Sequence, residues 1–164
     1  MVIYIKRGKH YASNRKIKSL NFKKRFFGNF KMDESCWYQT EIFGNHLNKL
    51  TGFSTDIWGK DVIRFAWRPA KQQNQFEIYV YIHIGGVWVR GNKLSDDLMD
   101  IVGTDIVSFN IDLYENSVLF TLGKKMLEKQ YPVSKGRGWL YWFYFGGKPK
   151  SPWEMKMGLV WGVE

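Results

Sequence analysis

The chain is poor in the residues that carry the commonest recognisable chemistries. Cys36 is its single cysteine in 164 residues, which excludes an internal disulfide framework and a cysteine-based zinc site. The three histidines, His10, His46 and His83, stand far apart with no close acidic partner, so spacing suggests neither a metal set nor a Cys36-His dyad. No Glu-x-Asp-x-Glu run offers the paired carboxylates of glycoside hydrolysis, and Glu77 stands alone on its segment. Asp96, Asp97, Asp100 and Asp105 do not follow the EF-hand pattern and read as a solvated turn. Gly85-Gly86, Gly136-Arg137-Gly138 and Gly146-Gly147 belong to hairpins or loops, since none opens a helix as a phosphate loop must. No catalytic residue, metal or cofactor is therefore expected.

Long apolar runs are missing as well. The stretches 76 to 89 and 139 to 145 are broken by Glu77 and His83 or fall short of the roughly 20 residues that span a bilayer. The apolar start meets charge at Lys6 with no small-residue cleavage site after it, so a cytoplasmic product without a secretory signal is expected.

Acidic charge is absent from the first 32 residues. That stretch holds ten of the 25 Lys and Arg (Lys6, Arg7, Lys9, Arg15, Lys16, Lys18, Lys23, Lys24, Arg25, Lys31) and none of the 15 Asp and Glu, so the net charge of +10 resides there. Such a block produces a local field suited to an acidic partner, a glycan or a nucleic acid. A solvated edge strand whose lysines discourage aggregation is the plainer reading.

Aromatic residues are what the chain has in abundance: eight Trp, nine Tyr and twelve Phe, with 45% hydrophobic residues in all. That composition requires a folded core. The dominant pattern is alternation with period two, the signature of strands. Phe76, Ile78, Val80, Ile82 and Ile84 alternate with Glu77, Tyr79, Tyr81 and His83; Gly85-Gly86 then turns the chain into Val87-Trp88-Val89-Arg90. Ile63, Phe65 and Trp67 alternate with Arg64, Ala66 and Arg68 up to Pro69, and Val107 to Leu113 forms a second hairpin with Val118 to Leu122. Leu20, Phe22 and Phe26 share a parity opposite Asn21, Lys23 and Arg25, before a break at Gly28-Asn29. Cys36 to Phe43 reads as a further strand and Ser95 to Ile101 as one helical turn. Eight to ten short strands without crossover helices predict an all-β fold: a single-domain antiparallel β-sandwich of jelly-roll type with few or no helices. Residues 1 to 16 form a basic arm or an edge strand, and 17 to 164 the sandwich.

Asn48 to Ser54 (N-K-L-T-G-F-S), Val62 to Arg68 (V-I-R-F-A-W-R) and Trp142 to Pro149 (W-F-Y-F-G-G-K-P) resemble stretches of small β-rich proteins of Bacteroidetes and of the crAss-like tailed phages that infect them. The resemblance extends to Gly8 to Tyr11 and Asp33 to Tyr38, although Ile57-Trp58 stand where such relatives are expected to carry a histidine pair. It implies no established activity. It favours a non-enzymatic structural or accessory protein of a phage virion, attached at head, neck or tail.

In that reading Lys6, Arg7, Lys9, Arg15, Lys16, Lys18, Lys23 and Arg25 dock onto a larger acidic virion protein, in preference to nucleic acid. The alternative is a lectin-like carbohydrate-binding module. Arg64, Arg68, Glu77, Tyr79, Tyr81 and His83 would then form a face that offers rings to sugar CH groups and charged groups to hydroxyls.

Overall fold

A computed structural model describes residues 1–12, 19–22, 24–43, 46–55, 61–89, 91–130, 136–141, 144–146 and 150–164. Alternation gives the strands an inward and an outward side, and the thirteen strands of the described residues form two antiparallel sheets. The first sheet runs in the order β1 (Val2–Ile5), β13 (Met155–Val163), β3 (Arg25–Met32), β9 (Ile106–Leu113), β10 (Ser117–Leu122) and β11 (Lys125–Gln130). The second runs β2 (Ser19–Phe22), β12 (Gly136–Tyr141), β4 (Asn48–Ser54), β5 (Val62–Pro69), β6 (Phe76–Ile84) and β7 (Val87–Val89), with β8 (Leu98–Val102) also paired to β6. The result is the β-sandwich of jelly-roll type that the alternation predicts.

Phe26, Phe30 and Phe109 of the first sheet face Phe53 and Phe65 of the second, all essentially inaccessible to water. Phe65 meets Phe109 at 5.8 Å and 70° and Phe120 at 5.3 Å and 83°, the edge-to-face geometry that ring quadrupoles favour. Burying each such ring stabilises the fold by roughly 2–3 kcal/mol, so these rings hold the two sheets together. Gly85 (φ 57°) and Gly86 (φ 83°) make the left-handed turn between β6 and β7, the conformation a two-residue hairpin needs. Among the described residues no helix is long and apolar enough to cross a membrane.

Five local expectations are corrected. Leu20 and Phe26 do not share a strand: β2 pairs with β12 in one sheet and β3 with β9 and β13 in the other, so the chain changes sheets between them. Gly28-Asn29 is no break, because β3 runs straight through it. A Cβ on Gly28 would overlap the Val160 carbonyl and the Trp161 Cα, so the glycine permits close strand approach rather than a turn. The segment after Asp33 is a 3-10 turn, Glu34–Cys36, capped by the Asp33 carboxylate on the Ser35 amide, followed by one helical turn, Thr40–Phe43. Leu94–Asp97 is a 3-10 turn that leads directly into β8, which takes Leu98 to Ile101 out of the helical turn expected over Ser95 to Ile101. Within it Asp97 is buried, not solvated, held by Lys129 of β11 and by the Gly91 amide.

Val2 to Ile5 pair along β13 as an edge strand. Beyond it, Ile5 bridges to Ala12 and Tyr11 to Tyr144, so residues 5 to 12 pass from the edge of the first sheet to the second.

Candidate functional site

Pairing between β4, β5 and β6 sets out the residues on the outer face of the second sheet in rows. Lys49 lies opposite Ala66, which lies opposite Tyr79; Gly52 lies opposite Arg64, which lies opposite Tyr81; Val62 lies opposite His83, which lies opposite Trp88. Lys49 and Gly52 are three residues apart, a spacing that should put them on opposite faces. A bulge restores them to one face: Leu50 and Thr51 of β4 together oppose Phe65 of β5. Gly52 is required there, with φ at 157° and no room for a Cβ, which would overlap the Arg64 Cα and the Ile63 carbonyl.

The bulge brings two cations over one ring. Lys49 Nζ lies 4.3 Å from the centre of the Tyr81 ring and Arg64 Cζ 5.0 Å from it. Trp88 and His83 both stack with the same ring, at 5.1 Å and 4.7 Å, and Tyr81 Oη lies 2.6 Å from His83 Nε2. Lys49 also donates to the Leu47 carbonyl at 2.7 Å. No carboxylate of the described residues forms a salt bridge with it.

Burial, with the Arg64 guanidinium beside it, pushes the Lys49 ammonium down to about 7. The same causes, burial first and then Arg64 and Lys49, lower His83 and keep its imidazole neutral near pH 7. Burial raises the Tyr81 phenol, which therefore stays protonated.

A second cluster on this face is closed on itself. Arg68 donates to the Glu77 carboxylate, Tyr79 donates to the same carboxylate oxygen, and the Arg68 guanidinium lies over the Tyr79 ring at 5.3 Å. The charge of Glu77 is thereby committed within the protein.

The six residues expected to form one face do lie on one face, in two groups: Arg64, Tyr81 and His83 around the Tyr81 ring, where Arg64 and Tyr81 are buried and His83 is partly exposed, and Arg68, Glu77 and Tyr79 in the closed cluster. The face is less open than alternation implies. Leu47, Trp88, Leu94 and Leu98 pack on it, leaving Tyr79 only 2% and Tyr81 7% exposed. Tyr81 is thus a platform on which its partly exposed neighbours Trp88, His83 and Lys49 are arranged.

Sequence reasoning missed Lys49, Trp88, Tyr144, Tyr11 and His10 as members of this surface. Gly52, an isolated glycine inside a strand pattern, was the available sign of the bulge that brings Lys49 in. Tyr144 pairs with Lys49 through both backbone hydrogen bonds, stacks on His10 at 5.5 Å and meets Tyr11 edge-on at 4.9 Å.

Among the described residues the basic block does not gather in one place. Gly8, at φ 72°, turns the chain, and its amide donates to the Ser151 carbonyl while the Ser151 amide donates to that of Lys9. This clasp brings Lys150 to Lys6, Lys9, His10 and Tyr11, which line a cleft of about 370 Å³. Arg25 lies at the far end of β13, paired with Asp112 and Glu164. Nine residues separate the two ends of that strand, roughly 30 Å at the usual rise. Arg15, Lys16, Lys18 and Lys23 lie outside the described residues.

The sequence matches no known family and no curated protein. Several solved structures are similar to it. A Crh5 transglycosylase in complex with NAG superposes with a TM-score of 0.56 at 10% identity, over 98% of this chain and 70% of that one. Sheep galectin-11, in complex with glycerol, gives 0.47 at 12% identity over 90% and 97% of the two chains. The carbohydrate-binding module CBM66 from Bacillus subtilis gives 0.41 at 9% identity over 90% and 74%. At its identity the likeness to the transglycosylase is one of fold alone.

Proposed function

We propose that the protein is a non-enzymatic carbohydrate-binding module whose ligand lies on the outer face of the second sheet. The observation that carries this reading is the cluster centred on Tyr81, where partly exposed Trp88 and His83 stand beside the amine and guanidinium of Lys49 and Arg64. Ring faces bind the CH groups of a pyranose, while cationic donors fix its oxygens at defined positions. The platform is preorganised, because Tyr81 is held by stacking on both neighbours and little side-chain freedom remains to be lost on binding. A fold neighbour solved with NAG agrees with this reading only as analogy. Glu77, the carboxylate of β6, is engaged by Arg68 and Tyr79 and so is poorly placed to act as a general acid.

A glycan array followed by titration calorimetry tests the proposal. Trp88→Ala should weaken binding of the best glycan at least tenfold while leaving the fold intact by circular dichroism. Absence of binding across the array, or unchanged affinity in Trp88→Ala, would overturn it.

A second reading has one observation in its favour. Lys6, Lys9 and Lys150 line a single basic cleft, which suits docking to an acidic surface on a larger particle protein, the role expected of the basic N-terminal block in a virion accessory protein. Release of the protein from purified particles by moderate salt would support it, and absence from purified particles would remove it.

A further inference from the structure

We infer that the ligand of this face is an acidic glycan, one bearing carboxylate or sulfate groups, bound along a track from Trp88 through Lys49 and Arg64 to the lysine cleft of the N-terminal turn. The inference rests on the carbohydrate-binding reading and specifies its ligand class.

Three observations combine. Lys49 and Arg64 are brought side by side over the Tyr81 ring by the β4 bulge, so two like charges converge in a partly dehydrated site. Neither their mutual repulsion nor their desolvation is offset at Lys49 by a carboxylate of the described residues, whereas Arg68, Arg25 and Lys129 each have one. An anionic group between the two cations would supply that compensation, and its removal from water would be favoured by charge-assisted hydrogen bonds.

The second observation is continuity. Tyr144, paired with Lys49, stacks on His10 and touches Tyr11, and these two residues line the cleft with Lys6, Lys9 and Lys150. Rings and cations therefore alternate along one path, as a polymer of sugars with repeated negative charges would require. The third is charge balance: Glu77, the carboxylate on β6, is already bound by Arg68 and Tyr79 and leaves the track positive.

The experiment measures binding of the full chain to four probes by calorimetry: polygalacturonate, a sulfated dextran, neutral dextran, and a single-stranded oligonucleotide. Binding of either acidic glycan at least tenfold tighter than the neutral polymer is the expected result, and the two acidic probes distinguish carboxylate from sulfate recognition. Lys49→Met should remove most of that preference, Lys49→Arg should retain it, and Lys6→Ser with Lys9→Ser should weaken the long polymers severalfold. The two lysines are exposed, so that double variant keeps the test valid if Lys49→Met fails to fold. Equal affinity for acidic and neutral glycans would overturn the inference and leave the carbohydrate-binding reading standing. Failure to bind any glycan would overturn both, and tighter binding of the oligonucleotide would replace the ligand class.

Discussion

Replacing Lys49 by Met should make the protein more stable, an outcome opposite to that of most substitutions at half-buried strand positions. Lowering the ammonium's pKa from 10.5 to about 7 means that the folded state disfavours the charged form. At about 1.4 kcal/mol per pH unit, this is a penalty of roughly 5 kcal/mol at pH 6, where both folded and unfolded chains are protonated. Methionine removes the penalty and fills a similar volume. It also loses the hydrogen bond to the Leu47 carbonyl, about 1 kcal/mol, and the cation–π contact with Tyr81, about 1–2 kcal/mol. A net gain of about 2 kcal/mol remains, within the usual range for exchanging buried charge for an apolar side chain.

The pH dependence carries the same signature. Between about pH 7 and 10.5 the unfolded chain binds one more proton at this lysine than the folded chain, so wild-type stability rises with pH there. From pH 7 to 8.5 the rise is on the order of 1–2 kcal/mol, or roughly 2–8 °C in Tm for a chain of this size. The window stops at 8.5 because Cys36, Tyr79 and Tyr81 have raised pKa values and oppose the trend at higher pH. Urea unfolding at pH 6.0, 7.0 and 8.5 provides the assay. Lys49→Met should be the more stable protein at pH 6 and lack the added slope. A variant less stable than wild type at pH 6, with the same slope, would refute the reasoning.

Other outcomes follow from the same geometry. Gly52→Ala should cost more than about 2 kcal/mol in urea unfolding, because its Cβ meets the backbone of β5 in a strained conformation. Affinity for an acidic glycan should fall at least threefold between pH 6.0 and 8.5 as Lys49 loses its proton. The phenols facing it do not account for that loss, since Tyr79, Tyr81 and Tyr144 have raised pKa values and stay protonated, while burial lowers the His83 imidazole below its ordinary value. Lys49→Arg, which keeps His10 and His83, should flatten the calorimetric profile. Cys36, fully buried and with its thiol pKa pushed far up, should resist thiol reagents until the protein unfolds, so its labelling rate reports global opening.

Alternation made much of the sandwich legible in the sequence. The parity of Phe76 to Ile84 and of Ile63 to Trp67 identifies both the core rings and the outward row of Arg64, Tyr81 and His83, since a strand has only two faces. Gly85-Gly86 likewise announces its hairpin. What remained hidden depends on long-range pairing. Parity counted from Lys49 to Gly52 gives the wrong face, because a bulge adds a residue that no local pattern marks except a glycine. Leu20 and Phe26 share a parity and still enter different sheets, which only the partners of each strand decide. The covering of Tyr79 and Tyr81 by Leu47, Leu94 and Leu98 is tertiary in the same sense, and so is the separation of Lys6 from Arg25 by the length of β13.

The central claim is that the outer face of the second sheet holds the glycan, and an amide chemical-shift titration tests it most directly. Addition of the best-binding acidic oligosaccharide should shift the amides of Lys49, Arg64, Tyr81 and Tyr144 and the Trp88 indole, with β9 to β11 of the opposite sheet unmoved. Shifts confined to β9, β10 and β11, or none at saturating glycan, would contradict the account.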